Sequence, residues 1–230
     1  MHSIVYRKHG SVERLEEMER PRPKTGPEQV LIEVHSIGLN PLDYRIRQGE
    51  MGPLTLMNGP RLTGSDFSGR IIKVGRAVDD FHIDERVMGM VNQIVTGTSA
   101  QFIAVDRRHL CRCPKNVDNA AAATIPLAAY TAYQALHNLG QIKAGQKVLI
   151  NGASGGVGVY ATQLASIAGA QVTAVTSHRN ASWMADLGAR HTVDYTKTDF
   201  TSEAPCYDIV FDCYGNKSFP RVKPVLSRSG

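Results

Sequence analysis

Two patterns of hydrophobic and polar positions divide the chain near residue 118. Up to about Cys113 the apolar runs are short and follow a two-residue period. Val30, Ile32 and Val34 alternate with Leu31, Glu33 and His35, as in a strand with one buried face. Runs at 69–74 (GRIIKV), 86–90 (RVMGM) and 101–105 (QFIAV), punctuated by Gly, Asp and Pro, predict an irregular all-β barrel or sandwich. One helix is expected to start at Asn40-Pro41, because Asn suits an N-cap and Pro is tolerated at the first helical position. From Asn119 the pattern changes. Residues 119–139 are Ala-rich and helix-prone, ending at Gly140. Strand and helix patterns then alternate: strand 147–151, helix 155–168 before Gly169, strand 171–176, helix 180–187 before Gly188, strand 191–193 and strand 207–213. That alternation implies parallel βαβ units. The expected fold class is therefore β plus α/β: a β-rich domain over 1–118, then a doubly wound parallel sheet over 119–230.

The junction of the first predicted strand and helix of the second half reads VLINGASGGVGVYA from Val148 to Ala161. Aligned on Ala153, Ser154, Gly155, Gly156, Val157 and Gly158, the motif is AxGxxG, with Ala in place of the first Gly of a dinucleotide fingerprint. Small residues there let the backbone approach a pyrophosphate, whose charge meets free N–H groups at the helix N-terminus. In the helix Val157, Tyr160 or Ala161, Leu164 and Ile167 or Ala168 recur at helical spacing and predict the face that packs on the sheet. A P-loop does not fit, since no Gly-Lys-Ser/Thr follows. The alternative is a tight strand–helix turn with no ligand. The next strand ends in VTAVTSHRN, so Ser177, His178 and Arg179 stand where an NAD site usually places an acid for the ribose 2′-hydroxyl. An acid would repel a 2′-phosphate, whereas a hydroxyl and a guanidinium can bind one. The pattern predicts NADP(H) in preference to NAD(H); the alternative is Arg179 as a solvated surface charge.

Composition narrows the setting. The 230 residues are 42% hydrophobic and 20% charged, too apolar for disorder. No run is long and apolar enough for a membrane span, and the N-terminus lacks the apolar core of a signal peptide. Four cysteines, Cys111, Cys113, Cys206 and Cys213, are read as reduced thiols of a cytoplasmic protein. The net charge of +5 comes from scattered Lys and Arg, the densest short cluster being Arg20-Pro21-Arg22-Pro23-Lys24. This favours mild attraction for an anionic ligand over specific nucleic-acid binding.

Four segments, EVHSIGLNPLDYRIRQGE, LTGSDFSGRIIKVG, AAAATIPLAAYTAYQAL and VLINGASGGVGVYATQLA, carry a resemblance to the medium-chain dehydrogenase/reductase superfamily. The resemblance covers essentially the whole chain. It implies a GroES-like catalytic domain followed by a Rossmann domain, and the group it most resembles is the zinc-independent quinone reductases, or zeta-crystallin-like proteins. Zinc alcohol dehydrogenases of the superfamily carry Cys in a GxCxxD-like segment and a later Gly-His-Glu. Here the segments read Gly38-Leu39-Asn40-Pro41-Leu42-Asp43 and Gly64-Ser65-Asp66, which offer no soft ligand. The four closely spaced cysteines of a structural zinc lobe are also missing, and no metal is expected. By resemblance, Asn40, Asp43 and Tyr44 lie beside the nicotinamide cleft, with Asn40 and Tyr44 as hydrogen-bond donors. Their alternatives are a helix N-cap, a first-turn dipole partner and a packing residue. Thr131, Tyr195 and Gly215 match family positions near the cofactor, and Tyr195 could equally be a core aromatic. The function implied is hydride transfer from NADPH to a quinone or conjugated carbonyl compound, with a homodimer expected. The alternatives are a 2-enoyl-thioester reductase, whose Tyr proton donor has no counterpart in Gly49-Glu50-Met51-Gly52-Pro53-Leu54, or a truncated, non-catalytic, crystallin-like NADPH-binding protein. Family members continue through two more sheet strands. The chain is therefore expected to be a fragment, or to cover by other means the edge formed by Ile209, Val210 and Phe211.

Overall fold

The computed structural model describes residues 1–52, 59–202 and 206–227. They divide into two compact units, Met1–Leu127 and Ala128–Gly230.

The first unit holds two antiparallel sheets. In the smaller, β1 (His2–Tyr6) lies between β2 (Glu16–Glu19) and β4 (Arg61–Leu62), with β3 (Gln29–Gly38) belonging to the larger sheet. That sheet runs in the order β7 (Phe102–Asp106), β3, β5 (Asp66–Val74), β6 (Arg86–Met90), β8 (Leu110–Arg112). Val30, Ile32, Phe67, Ile71, Val87, Ile103 and Val105 meet in one core. Strands β6 and β7 keep the alternation expected of them. In β3, register shifts between Leu31 and Ile32 and between Val34 and Ser36 break it, so Leu31 is buried alongside Val30 and Ile32. Sequence periodicity does not reveal the smaller sheet, because β2 is EEME with no buried residue. Helix α1 (Pro41–Gln48) starts where Asn40-Pro41 predicts and stops at Gly49, whose φ of 85° closes it in the left-handed region.

The predicted helix over 119–139 is not continuous. It breaks into α2 (Asn119–Ala123), α3 (Pro126–Tyr133) and a π-helical turn at Gln134–Leu139. Pro126 has no N–H to continue α2, and α2 instead packs on β3 and β5.

In the second unit a parallel sheet runs in the order β11 (His191–Asp194), β10 (Gln171–Thr176), β9 (Lys147–Asn151), β12 (Ile209–Asp212). Side chains alternate to two cores. Val148, Ile150, Val172 and Ala174 meet α4 (Gly156–Ile167), Leu136 and Met184 of α5 (Ala181–Asp186). Leu149 and Val175 face Phe200, Tyr207, Val225 and Val222 of the short helix α6 (Phe219–Val222). Both faces are covered, which explains why these strands read as continuous apolar runs. The face of α4 follows the prediction at Val157, Tyr160, Ala161 and Leu164, which lie in or against the core, and departs from it at Ile167. Gly158, Ala161, Thr162 and Ala165 are its buried residues, while Ile167 is 82% exposed. The helix lies so close to the sheet that small residues fill the contact. Strand β12 is shorter than the apolar pattern suggests. Cys206 and Tyr207 leave the ladder and donate backbone N–H bonds to Val225 O at 3.0 and 3.1 Å. Among the described residues no helix is long and apolar enough to cross a membrane, and all four cysteines are free.

Candidate active and cofactor sites

In the first unit the residues picked out by sequence converge on one buried network. Asn40 stands at the N-cap of α1, where it forms a capping box with Asp43, and its carboxamide also reaches a second carboxylate. Asn40 Nδ2 donates to Asp66 Oδ2 at 2.9 Å, and the backbone N–H of Asn40 is taken by Asp43 Oδ2 at 2.7 Å. Ser65 Oγ donates to Asp43 Oδ1 at 3.2 Å. With the Gln93 amide oriented to satisfy both ends, its nitrogen donates to Asp43 Oδ1 at 2.9 Å and its oxygen accepts from Gly64 N at 3.0 Å. Asp66, 0% exposed, also accepts from Leu127 N at 3.0 Å. Burial pushes the Asp66 carboxyl up to about 6; the Asn40 and Leu127 hydrogen bonds oppose this shift and the Asp43 charge adds to it. Burial also raises Asp43, against the hydrogen bonds from Asn40 and Ser65.

This arrangement refines three expectations. Asp43 is more than a dipole partner, because it ties α1 to Ser65 and Gln93. Asn40 combines its N-cap position with a bond across to Asp66, which takes one of its two amide hydrogens. Tyr44 is 43% exposed, so its ring is not a core packing element. Gln93 carried no sequence signal, since its partner Asp43 is distant in the chain and the fold alone joins them. Pro53 and Leu54, within the stretch inspected for a Tyr donor, lie outside the described residues.

A catalytic zinc does not fit this donor set. The three positions where zinc relatives place ligands hold Asn40, Ser65 and Asp66. The Asn40 and Ser65 side chains act as donors, and they are committed to Asp66 and Asp43. Neither a thiolate nor an imidazole is present there. Among the described residues, no three His, Cys, Asp or Glu side chains are grouped as a metal would need.

In the second unit the glycine-rich segment forms a tight turn between β9 and α4. Gly152 has φ 77°, a conformation that glycine adopts without strain. Ala153 N donates to Val175 O at 3.1 Å, and Thr176 Oγ1 donates to Ser154 Oγ at 2.9 Å, so the turn is tied to the end of β10. Gly155 is the N-cap and supplies no side-chain acceptor to the first turn of α4. A Cβ on Gly156 would meet nothing within 4 Å, whereas one on Gly158 would lie 2.3 Å from Gly152 O. Gly155 and Gly156 are exposed, and Val157 is half-buried on the sheet side. The turn thus leaves open backbone over a helix N-terminus, which fits the pyrophosphate of a dinucleotide.

Ser177, His178 and Arg179 follow β10 directly. Ser177 is half-buried, and the other two are exposed. The acid at the end of β11, Asp194, is engaged in its own turn, accepting from Thr196 N at 3.0 Å and Thr196 Oγ1 at 2.7 Å. Tyr195 is 63% exposed and not a core aromatic; its N–H reaches Thr176 O at 3.3 Å. Thr131 is exposed on α3. Gly215 lies in the loop after β12 with φ 76° and open space around its Cα. The Cys213 thiol beside that loop is pushed by burial up to about 12 and stays protonated.

Residues 26–138 match the family described as "Alcohol dehydrogenase GroES-like domain", and residues 156–230 match "Zinc-binding dehydrogenase". The chain is 32% identical over 240 residues to the "Chloroplast envelope quinone oxidoreductase homolog" of Arabidopsis thaliana, covering 100% of this chain and 73% of that protein. It is 35% identical over 228 residues to the "NADPH-dependent alkenal/one oxidoreductase, chloroplastic" of the same plant, covering 94% of this chain and 57% of that one. Among solved structures, the quinone oxidoreductase from Coxiella burnetii superposes with a TM-score of 0.91 at 32% identity, over 100% of this chain and 74% of that one. The AxGxxG turn, the antiparallel β unit and these matches agree: the chain belongs to the medium-chain dehydrogenase/reductase superfamily, among its quinone-oxidoreductase-like members, and is an oxidoreductase of the nicotinamide-dependent kind.

Proposed function

We propose that this chain transfers hydride from NADPH to a quinone or a conjugated carbonyl compound, without zinc. The single observation that carries the cofactor choice is the trio Ser177, His178 and Arg179. It directly follows β10, whose last residue is hydrogen-bonded to the glycine-rich turn. No acid stands in the trio, and the nearest one in the sheet register, Asp194 opposite Thr176, is occupied by Thr196. The relative named as NADPH-dependent supports the same choice.

NADPH, when bound, supplies the hydride. The residues of this chain do the rest. Gly155, Gly156, Val157 and Gly158 take the pyrophosphate on open backbone, and Arg179 with Ser177 takes the 2′-phosphate. Thr131, Tyr195 and Gly215 complete the cofactor site. Asn40, held by Asp66, offers its free amide hydrogen to the substrate, and Tyr44 offers its hydroxyl. Without a Lewis acid such donors polarise a carbonyl only modestly. A substrate that spreads the arriving charge over a conjugated system suits them, which is why quinones and enones are favoured over simple ketones. The names of the quinone and alkenal/one oxidoreductase relatives support that class.

Titration with NADPH and NADH tests the reading. NADPH is expected to bind more tightly by about one to two decades, the worth of a charge-assisted contact of roughly 1.5–3 kcal/mol. Arg179→Ala should remove most of that difference and leave NADH unchanged. Equal affinities in the unaltered protein would overturn the choice of NADPH.

A further inference from the structure

Asn151 and Asp212 are the last residues of the neighbouring parallel strands β9 and β12 and stand opposite each other in the register. Asn151 Nδ2 donates to Asp212 Oδ1 at 2.8 Å and to Asn216 Oδ1 at 3.0 Å. The same Asp212 Oδ1 accepts from Tyr214 N at 3.0 Å and Gly215 N at 2.8 Å, and Oδ2 accepts from Lys217 N at 3.2 Å. One carboxylate therefore gathers donors from the strand that opens the glycine-rich turn and from Tyr214, Gly215 and Lys217 of the following loop. The far end of the loop is fixed as well. Lys217 Nζ donates to Asp199 Oδ2 at 2.8 Å and lies 5.7 Å from the centre of the Phe200 ring. That ammonium holds the Asp199 carboxyl down at about 2. A Cβ on Gly152 would lie 3.3 Å from Tyr214 Cβ and 3.4 Å from Tyr214 N, so the loop presses on the first residue of the turn.

The sheet order β11-β10-β9-β12 reverses direction at β9, and ligands of such sheets lie across the carboxyl ends of the strands at that reversal. Arg179 and Ser177 stand at the β10 end, so a dinucleotide with its adenosine 2′-phosphate there extends past Gly152 toward the loop after β12. Resting on the NADPH reading above, we propose that Asp212 is a positioning residue. It locks Tyr214 and Gly215 against the glycine-rich turn and thereby preforms the wall that receives the ribose–nicotinamide half of the cofactor. Asp212 itself does not touch the cofactor. Its Oδ1 faces Asn151 and the loop N–H groups, and a carboxylate serves here because one oxygen can accept several neutral donors. Ordering this loop before binding spares the cofactor the cost of ordering it afterwards.

The test compares NADPH with adenosine 2′,5′-bisphosphate, which lacks the nicotinamide half, on the full chain. Asp212→Ala should weaken NADPH by about tenfold or more while leaving the bisphosphate unchanged. Asp212→Asn keeps an oxygen for Asn151, Tyr214 and Gly215 but sets an amide NH2 against the Lys217 N–H in place of Oδ2, so it should recover part of the NADPH affinity lost in Asp212→Ala. A merely structural role for Asp212 would weaken both ligands together in Asp212→Ala, and that result, or no change in either, overturns the inference. Amide hydrogen exchange in the unaltered chain needs no variant: Tyr214 and Gly215 should be protected, and unprotected rates also overturn it. If the unaltered chain binds neither ligand, the NADPH reading fails and takes this inference with it. If it binds both but Asp212→Ala does not separate them, the inference fails alone.

Discussion

Asp66 shows how one side chain can be both a cost and a fixture. Its carboxyl is fully buried, with no cation beside it among the described residues, and two hydrogen bonds repay only part of the lost hydration. Folded, it holds its proton up to about pH 6, against 3.8 for the free group. The native state thus binds more protons than the unfolded chain between those values, so the contribution of Asp66 favours folding below about pH 4 and is lost as the pH rises through 6. The shift corresponds to about 3 kcal/mol. Urea unfolding of the unaltered protein and Asp66→Asn at a series of pH values reads it together with its coupling to Asp43, while groups that do not interact with Asp66 cancel. The stability difference, unaltered minus variant, should fall by up to about 3 kcal/mol between pH 4 and 7. A difference that stays flat would show that Asp66 ionises as freely as in water. The identity of Asp66 could be read from Gly64-Ser65-Asp66, but its partners could not. Asn40 and Leu127 lie 26 and 61 residues away, and only folding brings them within hydrogen-bond reach.

The strand–turn–helix element from Lys147 to Ile167 sets two glycines against each other. At Gly156 an added Cβ meets open space, so Gly156→Ala should stabilise the free protein by about 0.5 kcal/mol by restricting the unfolded chain. The same methyl would stand where the pyrophosphate must approach, and NADPH should bind about tenfold more weakly. At Gly158 the Cβ would lie 2.3 Å from Gly152 O and 2.6 Å from Ala153 Cα, so Gly158→Ala must push α4 off the turn. Thermal or chemical unfolding should show a loss of about 2 kcal/mol despite the better helix propensity of alanine. A Gly158→Ala protein as stable as the original would mean that α4 does not depend on that close approach. The fingerprint made this element legible, down to the identity of the open glycines. The buried face of α4 was legible in part. Val157, Tyr160, Ala161 and Leu164 recur at helical spacing and do meet the core. Periodicity does not mark Gly158, Thr162 and Ala165, which are buried where the helix presses on the sheet, and Ile167 faces solvent.

For the molecule as a whole, the zinc question follows from chemistry at three positions. Asn40 is bonded to Asp66 and Asp43, and Ser65 to Asp43, in a donor–acceptor network that a cation would disrupt. Elemental analysis of protein purified without added metal should find far less than one zinc per chain, and a chelator should change neither the melting temperature nor NADPH affinity. A stoichiometric, tightly held zinc would overturn this reading of the site, and would restore to this chain the metal named in one of its matching families.

Local sequence was sufficient wherever a property belongs to a single segment. The Pro that starts α1, the glycine-rich turn, the alternation of β6 and β7 and the acid-free end of β10 are short-range features, set by backbone freedom, periodicity and charge within a few residues. Properties that depend on distant partners emerged only in three dimensions. The charged strand β2 exists because β1 supplies its hydrogen bonds, and its own pattern shows no buried face. The Ala-rich stretch divides because α2 packs on β3 and β5 while α3 begins anew at Pro126. Asn40 caps α1 as its sequence position suggests but also reaches across to Asp66, and Asp212 binds a loop to a neighbouring strand. In each case the deciding bond joins groups far apart in the chain, and its energy exists only once the core has formed around it.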